Sequence, residues 1–250
     1  MKKLTFFLLV LIVLVFLSFF PGCKGKSEKS ITDETEKTST AQLEKDIEDF
    51  TRAIGQNPDD AAAYNNRGET YHKLGKHVDA ISDYSKALDL DPTIVDVFIN
   101  RGVAYKDIQR YDRAVLDYTT AIKLDPENDT AYLYMGDLYL ETRLFDEAIK
   151  AYTKAIEINP DHLIAFSNRG LAYKSIQQFD RAISDYTKAL ELDPSFALAY
   201  SGRGFAYEQL GKPEEALADF KDFLEYAPDS YSVYIIQTEA KIKELERKLR

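Results

Sequence analysis

The sequence predicts an all-α solenoid built from a two-helix unit that repeats along the chain. Proline returns every 34 residues, glycine and alanine keep fixed places within that interval, and apolar residues follow two runs at helical spacing. A fixed period of this length is typical of repeat proteins, in which each unit buries its apolar face against the next. The periodic prolines are Pro58, Pro92, Pro126, Pro160, Pro194 and Pro228.

Five copies align in register at 61–94, 95–128, 129–162, 163–196 and 197–230, named here repeats 1 to 5. Every copy has glycine at the eighth place, tyrosine at the eleventh and alanine at the twentieth, with aromatic residues at the fourth and twenty-fourth. The small residues let two helices cross closely, and the aromatic rings fill the space around the crossing. Proline ends the second helix because it lacks an N–H and clashes with the preceding turn.

These positions resemble the signature of the tetratricopeptide repeat family over residues 41 to 230. The resemblance implies a right-handed superhelical solenoid of helix-turn-helix repeats, with the first helices lining a concave face. Residues 41–58 match only the second helix of a repeat and predict an N-terminal half-repeat. Residues 231–250 predict a C-terminal capping helix, and a short coiled-coil seam is the alternative for its apolar spacing.

The N-terminal 40 residues predict an export signal and a tether. Lys2 and Lys3 precede an apolar run that ends at Phe20, which is typical of a signal peptide over 1–22. The small residue before Cys23 resembles the lipobox of bacterial lipoproteins, and this resemblance implies lipid attachment at Cys23. An uncleaved membrane anchor and ordinary cleaved secretion are the alternatives. The polar residues of 23–40 predict a flexible tether. All three alternatives place the folded part outside the cytoplasm of a bacterium, and lipid attachment places it in the cell envelope, on a membrane and facing the periplasm or the exterior.

Composition argues against several functional classes. The net charge of −10 disfavours nucleic acid as a partner. A single cysteine excludes an intramolecular disulfide and a thiolate cluster, and His72, His77 and His162 are not spaced as a helical metal pair. The sequence contains no glycine-rich phosphate loop and no Cys–His or His–Glu catalytic pattern. We therefore expect no enzyme, no cofactor and no metal.

An arginine and an aspartate recur together. The seventh place is arginine and the twenty-third is aspartate in four repeats, whereas repeat 3 has Met135 and Ala151 there. Because the two residues are present together and absent together within one repeat, we predict a partly buried ion pair between the two helices of each repeat. The predicted pairs are Arg67 with Asp83, Arg101 with Asp117, Arg169 with Asp185, and Arg203 with Asp219.

The resemblance places positions two, five, six, nine and twelve of each repeat on the concave face. Asparagine at the sixth place offers donors and an acceptor for a peptide backbone, and local hydrogen bonds are the alternative. Apolar residues at the fifth and ninth places predict a partner surface, and nearby carboxylates favour a partner with some basic residues. The predicted peptide-binding residues are Asn66, Asn100, Asn168, Ile99, Val103, Leu133, Tyr134, Leu171 and Phe205.

These features predict a membrane-tethered scaffold or adaptor of the cell envelope, which binds an extended or helical segment of a protein partner in its groove. The alternative is a structural protein that assembles into a homo-oligomer without a peptide ligand. Sedimentation of the folded part separates the two hypotheses, because a monomer at all concentrations argues against self-assembly.

Overall fold

The computed structural model describes residues 29–250, with side chains described from Thr40 onwards. Its regular structure in this range is entirely helical, which confirms the predicted all-α class. The helices are α1 Lys29–Gln56, α2 Ala61–Lys73, α3 His77–Leu90, α4 Val95–Asp107, α5 Tyr111–Leu124, α6 Asp129–Glu141, α7 Phe145–Ile158, α8 Leu163–Ser175, α9 Phe179–Leu192, α10 Ala197–Gln209, α11 Pro213–Tyr226 and α12 Ser232–Lys248.

The helices pack as consecutive pairs, and each repeat supplies one pair. They form two compact units that divide after Pro92, the first with α1 to α3 and the second with α4 to α12. In the second unit the first helices of successive repeats, α4, α6, α8 and α10, contact one another in that order. This row of first helices is the part of the fold that positions the candidate site.

The two helices of each repeat cross closely where the glycine at the eighth place faces the aromatic ring at the twenty-fourth place. A Cβ atom at Gly136 would lie 2.5 Å from Cε1 of Tyr152, a separation that packed atoms do not adopt. Tyr152 itself is fully buried and packs with Ala148 and Ala155. The glycine at the eighth place therefore makes room for the ring at the twenty-fourth.

The turn between the helices of each repeat uses a residue in the left-handed region. Gly75 and Gly211 have φ of 71°, and Gln109, Arg143 and Gln177 have φ of 59°, 62° and 63°. Glycine adopts this conformation without steric cost, and the other residues pay a modest one. Glycine occupies the position only in repeats 1 and 5, so the sequence period alone does not reveal it.

Helix α1 corrects part of the predicted tether. The prediction of a flexible segment over 23–40 is wrong from Lys29 onwards, because the helix begins there and continues without interruption to Gln56. No proline or glycine lies between Lys29 and Ile54, so the helix of the half-repeat extends backwards into the polar segment. The predicted signal peptide, Cys23 and residues up to 28 lie outside the described residues. Within residues 29–250, no helix is long and apolar enough to span a bilayer.

Helix α12 packs its apolar side against α11. Leu245 is 1% exposed and contacts the cluster that contains Ala216 and Phe220, and Thr238 is also buried. Lys241 forms an ion pair with Glu208 of α10, with 2.9 Å between Nζ and Oε1. At the spacing that would form a coiled-coil seam, Thr238 and Leu245 are therefore buried within the chain, whereas Leu249 is exposed.

Candidate protein-binding face

The candidate site is the surface of the second unit formed by α4, α6, α8 and α10, called here the first-helix face. Its side chains come from positions two, six, nine and twelve of repeats 2 to 5. Two layers determine what this face presents: the ion pairs behind it, which hold the helices together, and the side chains that reach its surface.

The structure brings each of the four predicted ion pairs together. In every pair the guanidinium donates from Nε and Nη2 to the two carboxylate oxygens of the aspartate, over 2.7 to 2.9 Å. The aspartate side chains are 3 to 8% exposed and those of the arginines 15 to 19%. Paired, two-point contacts of this kind fix the relative position of the two helices.

In repeats 1, 4 and 5 the arginine also donates from Nη1 to a threonine of the helix that precedes the repeat. Nη1 of Arg169 donates to the Thr153 hydroxyl of α7 over 3.0 Å. The guanidinium carbon lies 5.6 Å from the ring centre of Phe166 and 6.0 Å from that of Tyr173. The arginine therefore lies within a layer of aromatic rings and hydroxyls, and it is not available to an external anion.

Repeat 3 fills the same place with apolar atoms. Met135 and Ala151 are each 7% exposed and join a buried cluster with Tyr118 and Leu138. Asp49 in α1, which has no arginine at the corresponding place, pairs instead with Arg52 one helical turn away over 3.1 Å. The ion pair can thus be replaced as a unit, which is the behaviour of a structural element.

The predicted peptide-binding residues have three different environments. Ile99 is only 4% exposed and packs beside Tyr118 in the core, so its expected place on the open face is wrong. The fifth place in repeat 2 points toward the next repeat, where an aliphatic side chain is buried. Val103, Leu133 and Leu171 are partly buried. Asn66 is exposed on the first unit and lies outside the first-helix face.

The residues at the sixth place differ in their exposure and in the contacts that they make within the chain. Nδ2 of Asn168 donates to Oδ1 of Asp137 over 2.9 Å, which is the local hydrogen bond considered as the alternative. Asn100 is half-buried and has interactions within the chain. Tyr134 holds the sixth place in repeat 3 and stacks on Tyr118, with 6.2 Å between ring centres.

Asp137 is the centre of a partly buried polar network that joins repeats 3 and 4. The Tyr152 hydroxyl donates to Asp137 Oδ1 over 2.7 Å, beside the bond from Asn168. Burial raises the pKa of Asp137, and these two hydrogen bonds and the charge of Lys106 oppose the rise. The chain's own groups therefore compensate part of the cost of burying this carboxylate.

Exposed apolar side chains gather on the first helices of repeats 4 and 5. Ile164 is 39% exposed, Leu198 is 42% exposed and Phe205 is 38% exposed. Leu198 and Phe205 are seven residues apart on α10 and so share one side of the helix. Position two is predicted to lie on this face, and Ile164 and Leu198 are the only large aliphatic residues at that position, although neither is among the predicted peptide-binding residues.

Comparisons with known proteins agree with this architecture. Family models described as tetratricopeptide repeat match residues 61–94, 99–162 and 197–230, and one described as TPR repeat matches 170–211. The chain belongs to the tetratricopeptide repeat family. No curated protein matches this tetratricopeptide repeat chain.

Several solved structures resemble this tetratricopeptide repeat protein. A crystal structure of MamA is 30% identical, with a TM-score of 0.60 over 70% of this chain and 94% of that chain. YrrB, described as a TPR protein with an unusual peptide-binding site, is 25% identical, with a TM-score of 0.58 over 72% of this chain and 93% of that chain. MamA from Desulfovibrio magneticus, at 22% identity, 66% and 94% coverage and a TM-score of 0.61, shares the fold.

Proposed function

We propose that the protein is a membrane-tethered adaptor of the bacterial cell envelope, which binds an extended or helical segment of a protein partner on its first-helix face. The observation that carries the proposal is the group of exposed apolar side chains on α8 and α10, namely Ile164, Leu198 and Phe205. Apolar side chains that gather on one face of a soluble repeat are typical of a partner surface.

The arrangement suits a segment better than a small molecule. The apolar side chains lie along two adjacent first helices and are separated by helical spacing. A partner segment that crosses these helices could bury the apolar side chains one after another. Its backbone could at the same time form hydrogen bonds with polar groups of the same face. The description of YrrB as a protein with a peptide-binding site supports this interpretation.

The tether is proposed from the sequence. Lys2 and Lys3, the apolar run up to Phe20, and the Gly22–Cys23 pair support lipid attachment at Cys23. Lipid chains would hold the protein on a membrane, facing the periplasm or the exterior. Mass spectrometry of the native protein and of the Cys23→Ala variant tests this part. A lipidated terminus at Cys23 supports it, whereas an intact Met1 or an unmodified cleaved chain contradicts it.

Photo-crosslinking in the native cells tests the binding face. A photoreactive amino acid replaces Phe205 in the full chain, and the matched control replaces Leu116, which is 57% exposed on α5 outside the face. We expect position 205 to crosslink one segment of a partner, and a synthetic peptide of that segment to bind the purified full chain. Equal crosslinking at position 116 would contradict the proposal. A crosslink from position 205 only to a second copy would favour self-assembly.

A further inference from the structure

Two lysines at the same place in different repeats have opposite surroundings. Lys106 of α4 and Lys174 of α8 both hold the twelfth position, and each reaches toward the first helix of the next repeat. Nζ of Lys106 lies 3.9 Å from Oε2 of Glu141 and 3.7 Å from Oδ1 of Asp107. Lys106 therefore has carboxylates from its own chain.

Lys174 faces an aromatic ring instead. Its Nζ lies 5.7 Å from the ring centre of Phe205, and no carboxylate of the described residues comes within ion-pair distance of it. A cation over a phenyl face gains some stabilisation, but the ring does not neutralise the charge. The carboxylates beside Lys106 are replaced by Ser175 and Gln209 at the corresponding positions beside Lys174, so the counter-charge is absent there.

Lys174 is partly buried, and loss of solvent disfavours its charged form. Desolvation lowers the pKa of the Lys174 ammonium to about 8, and it is the only cause of the shift. An uncompensated cation of this kind is unfavourable for folding alone. A carboxylate from outside the chain would remove that penalty.

We propose that Lys174 is an anion subsite of the first-helix face, which binds the side-chain carboxylate of an Asp or Glu in the partner segment while Phe205 contacts an apolar side chain next to it. This inference rests on the segment binding proposed above and specifies the chemistry of the segment. Because Nζ and the ring are 5.7 Å apart, the acidic and apolar residues are about one or two positions apart in an extended segment.

A selection experiment tests the subsite without knowledge of the partner. A library of random nonapeptides is selected on the purified full chain and, in parallel, on Lys174→Met and Lys106→Met variants. We expect the wild-type chain and Lys106→Met to enrich peptides with Asp or Glu within two positions of Leu, Ile or Phe. Lys174→Met should lose the acidic preference and keep the apolar one.

The affinity of the best peptide then gives the coupling between the two charges. We expect Lys174→Met to weaken binding about tenfold or more, and replacement of the peptide's acid by the matching amide to weaken it equally. Against Lys174→Met the amide replacement should have no further effect. Lys106 lies in repeat 2, away from the exposed apolar side chains of repeats 4 and 5, so Lys106→Met should change the affinity less than twofold. Lys174→Arg, which keeps the charge, should recover most of the binding.

Other outcomes separate the subsite from the wider proposal. Selected peptides that need Phe205 but show no acidic preference would overturn the Lys174 subsite and leave segment binding intact. The same conclusion follows if Lys106→Met weakens binding as much as Lys174→Met. Two outcomes would overturn both the Lys174 subsite and segment binding. One is no enrichment of any peptide on the wild-type chain. The other, in a parallel test with phosphatidylglycerol vesicles, is binding that depends on Lys174 and occurs only to the vesicles.

A further readout does not depend on the folding of a variant. The affinity of the wild-type chain for the best acidic peptide should fall as the pH rises through about 8, where free Lys174 loses its proton. The peptide should also protect Lys174 from acetylation by acetic anhydride. An affinity that is constant from pH 7 to 9.5, or absence of protection, would overturn the subsite.

Discussion

Repeats 3 and 4 are neighbours with the same backbone plan, yet they differ in both layers of the site. Between its helices repeat 3 has Met135 and Ala151, whereas repeat 4 has the Arg169–Asp185 ion pair. Both solutions build the same helical hairpin. The inner layer therefore serves the fold, and it is not where the two repeats differ in function.

Their outer layers differ in a way that matters for a partner. Repeat 3 presents a carboxylate, Asp137, that Tyr152 and Asn168 already engage. Repeat 4 presents an ammonium, Lys174, that no carboxylate of the described chain engages. A partner is therefore expected where a charged group has no counter-charge within the described chain, as at Lys174. A charged group that the chain already engages, such as Asp137, does not indicate a partner in the same way.

The largest expected effect is on the ion pair of repeat 4. Asp185→Ala leaves the Arg169 guanidinium partly buried without its carboxylate, so we expect the free energy of unfolding to fall by about 3 kcal/mol. The double change Arg169→Met with Asp185→Ala copies repeat 3 and should cost about 1 kcal/mol. Denaturant unfolding followed by circular dichroism measures both. Equal losses for the single and double variants would show that the pair is not a unit.

The reverse exchange introduces the ion pair into repeat 3. Met135→Arg alone places a cation in the apolar layer of repeat 3, and we expect a loss of about 2 kcal/mol. Addition of Ala151→Asp should restore most of that loss through the pairing seen in the other repeats. The unfolding midpoints of the two variants test this expectation. A double variant less stable than the single one would mean that repeat 3 cannot accept the pair.

Lys174→Met should stabilise the fold, by about 1 to 2 kcal/mol at pH 7. The folded-state pKa of Lys174 is about 8 and lies below its unfolded value, so the charge is unfavourable in the folded state at neutral pH. The advantage of the variant should shrink as the pH rises from about 8 toward the unfolded pKa. Thermal melts of this variant and of Lys106→Met across pH 7 to 10.5 provide the measurement. Equal gains for both variants would contradict the difference in their surroundings.

The smallest effect is expected at Asp137. Its pKa is raised, so its stabilising contribution is present below the unfolded pKa and is lost as the pH rises through the folded pKa. Asp137→Asn mimics the protonated form and can still accept from Tyr152, so the variant should gain less than about 1 kcal/mol at pH 7 and nothing near pH 3.5. A clear loss of stability at pH 7 would show that the carboxylate is better compensated than the structure indicates.

The sequence was sufficient for the features that repeat. Five copies compared with one another predicted the helix pairs, and the joint absence of arginine and aspartate from repeat 3 predicted which residues meet. The exposure of single positions could not be predicted in the same way. Ile99 is buried because the next repeat covers it. Helix α1 extends back to Lys29 because no proline or glycine interrupts the polar segment. The importance of Lys174 depends on a neighbour 31 residues away, Phe205, which periodicity does not single out.

The most direct test of segment binding is the affinity of the best selected nonapeptide for two matched variants of the full chain. Phe205→Glu places a charge on the first-helix face, and Leu116→Glu places the same charge on exposed α5. We predict that Phe205→Glu weakens binding at least about tenfold in isothermal titration, while Leu116→Glu changes it less than twofold. Equal affinity for the two variants, or a greater loss with Leu116→Glu, would contradict the claim that the first-helix face is the binding site.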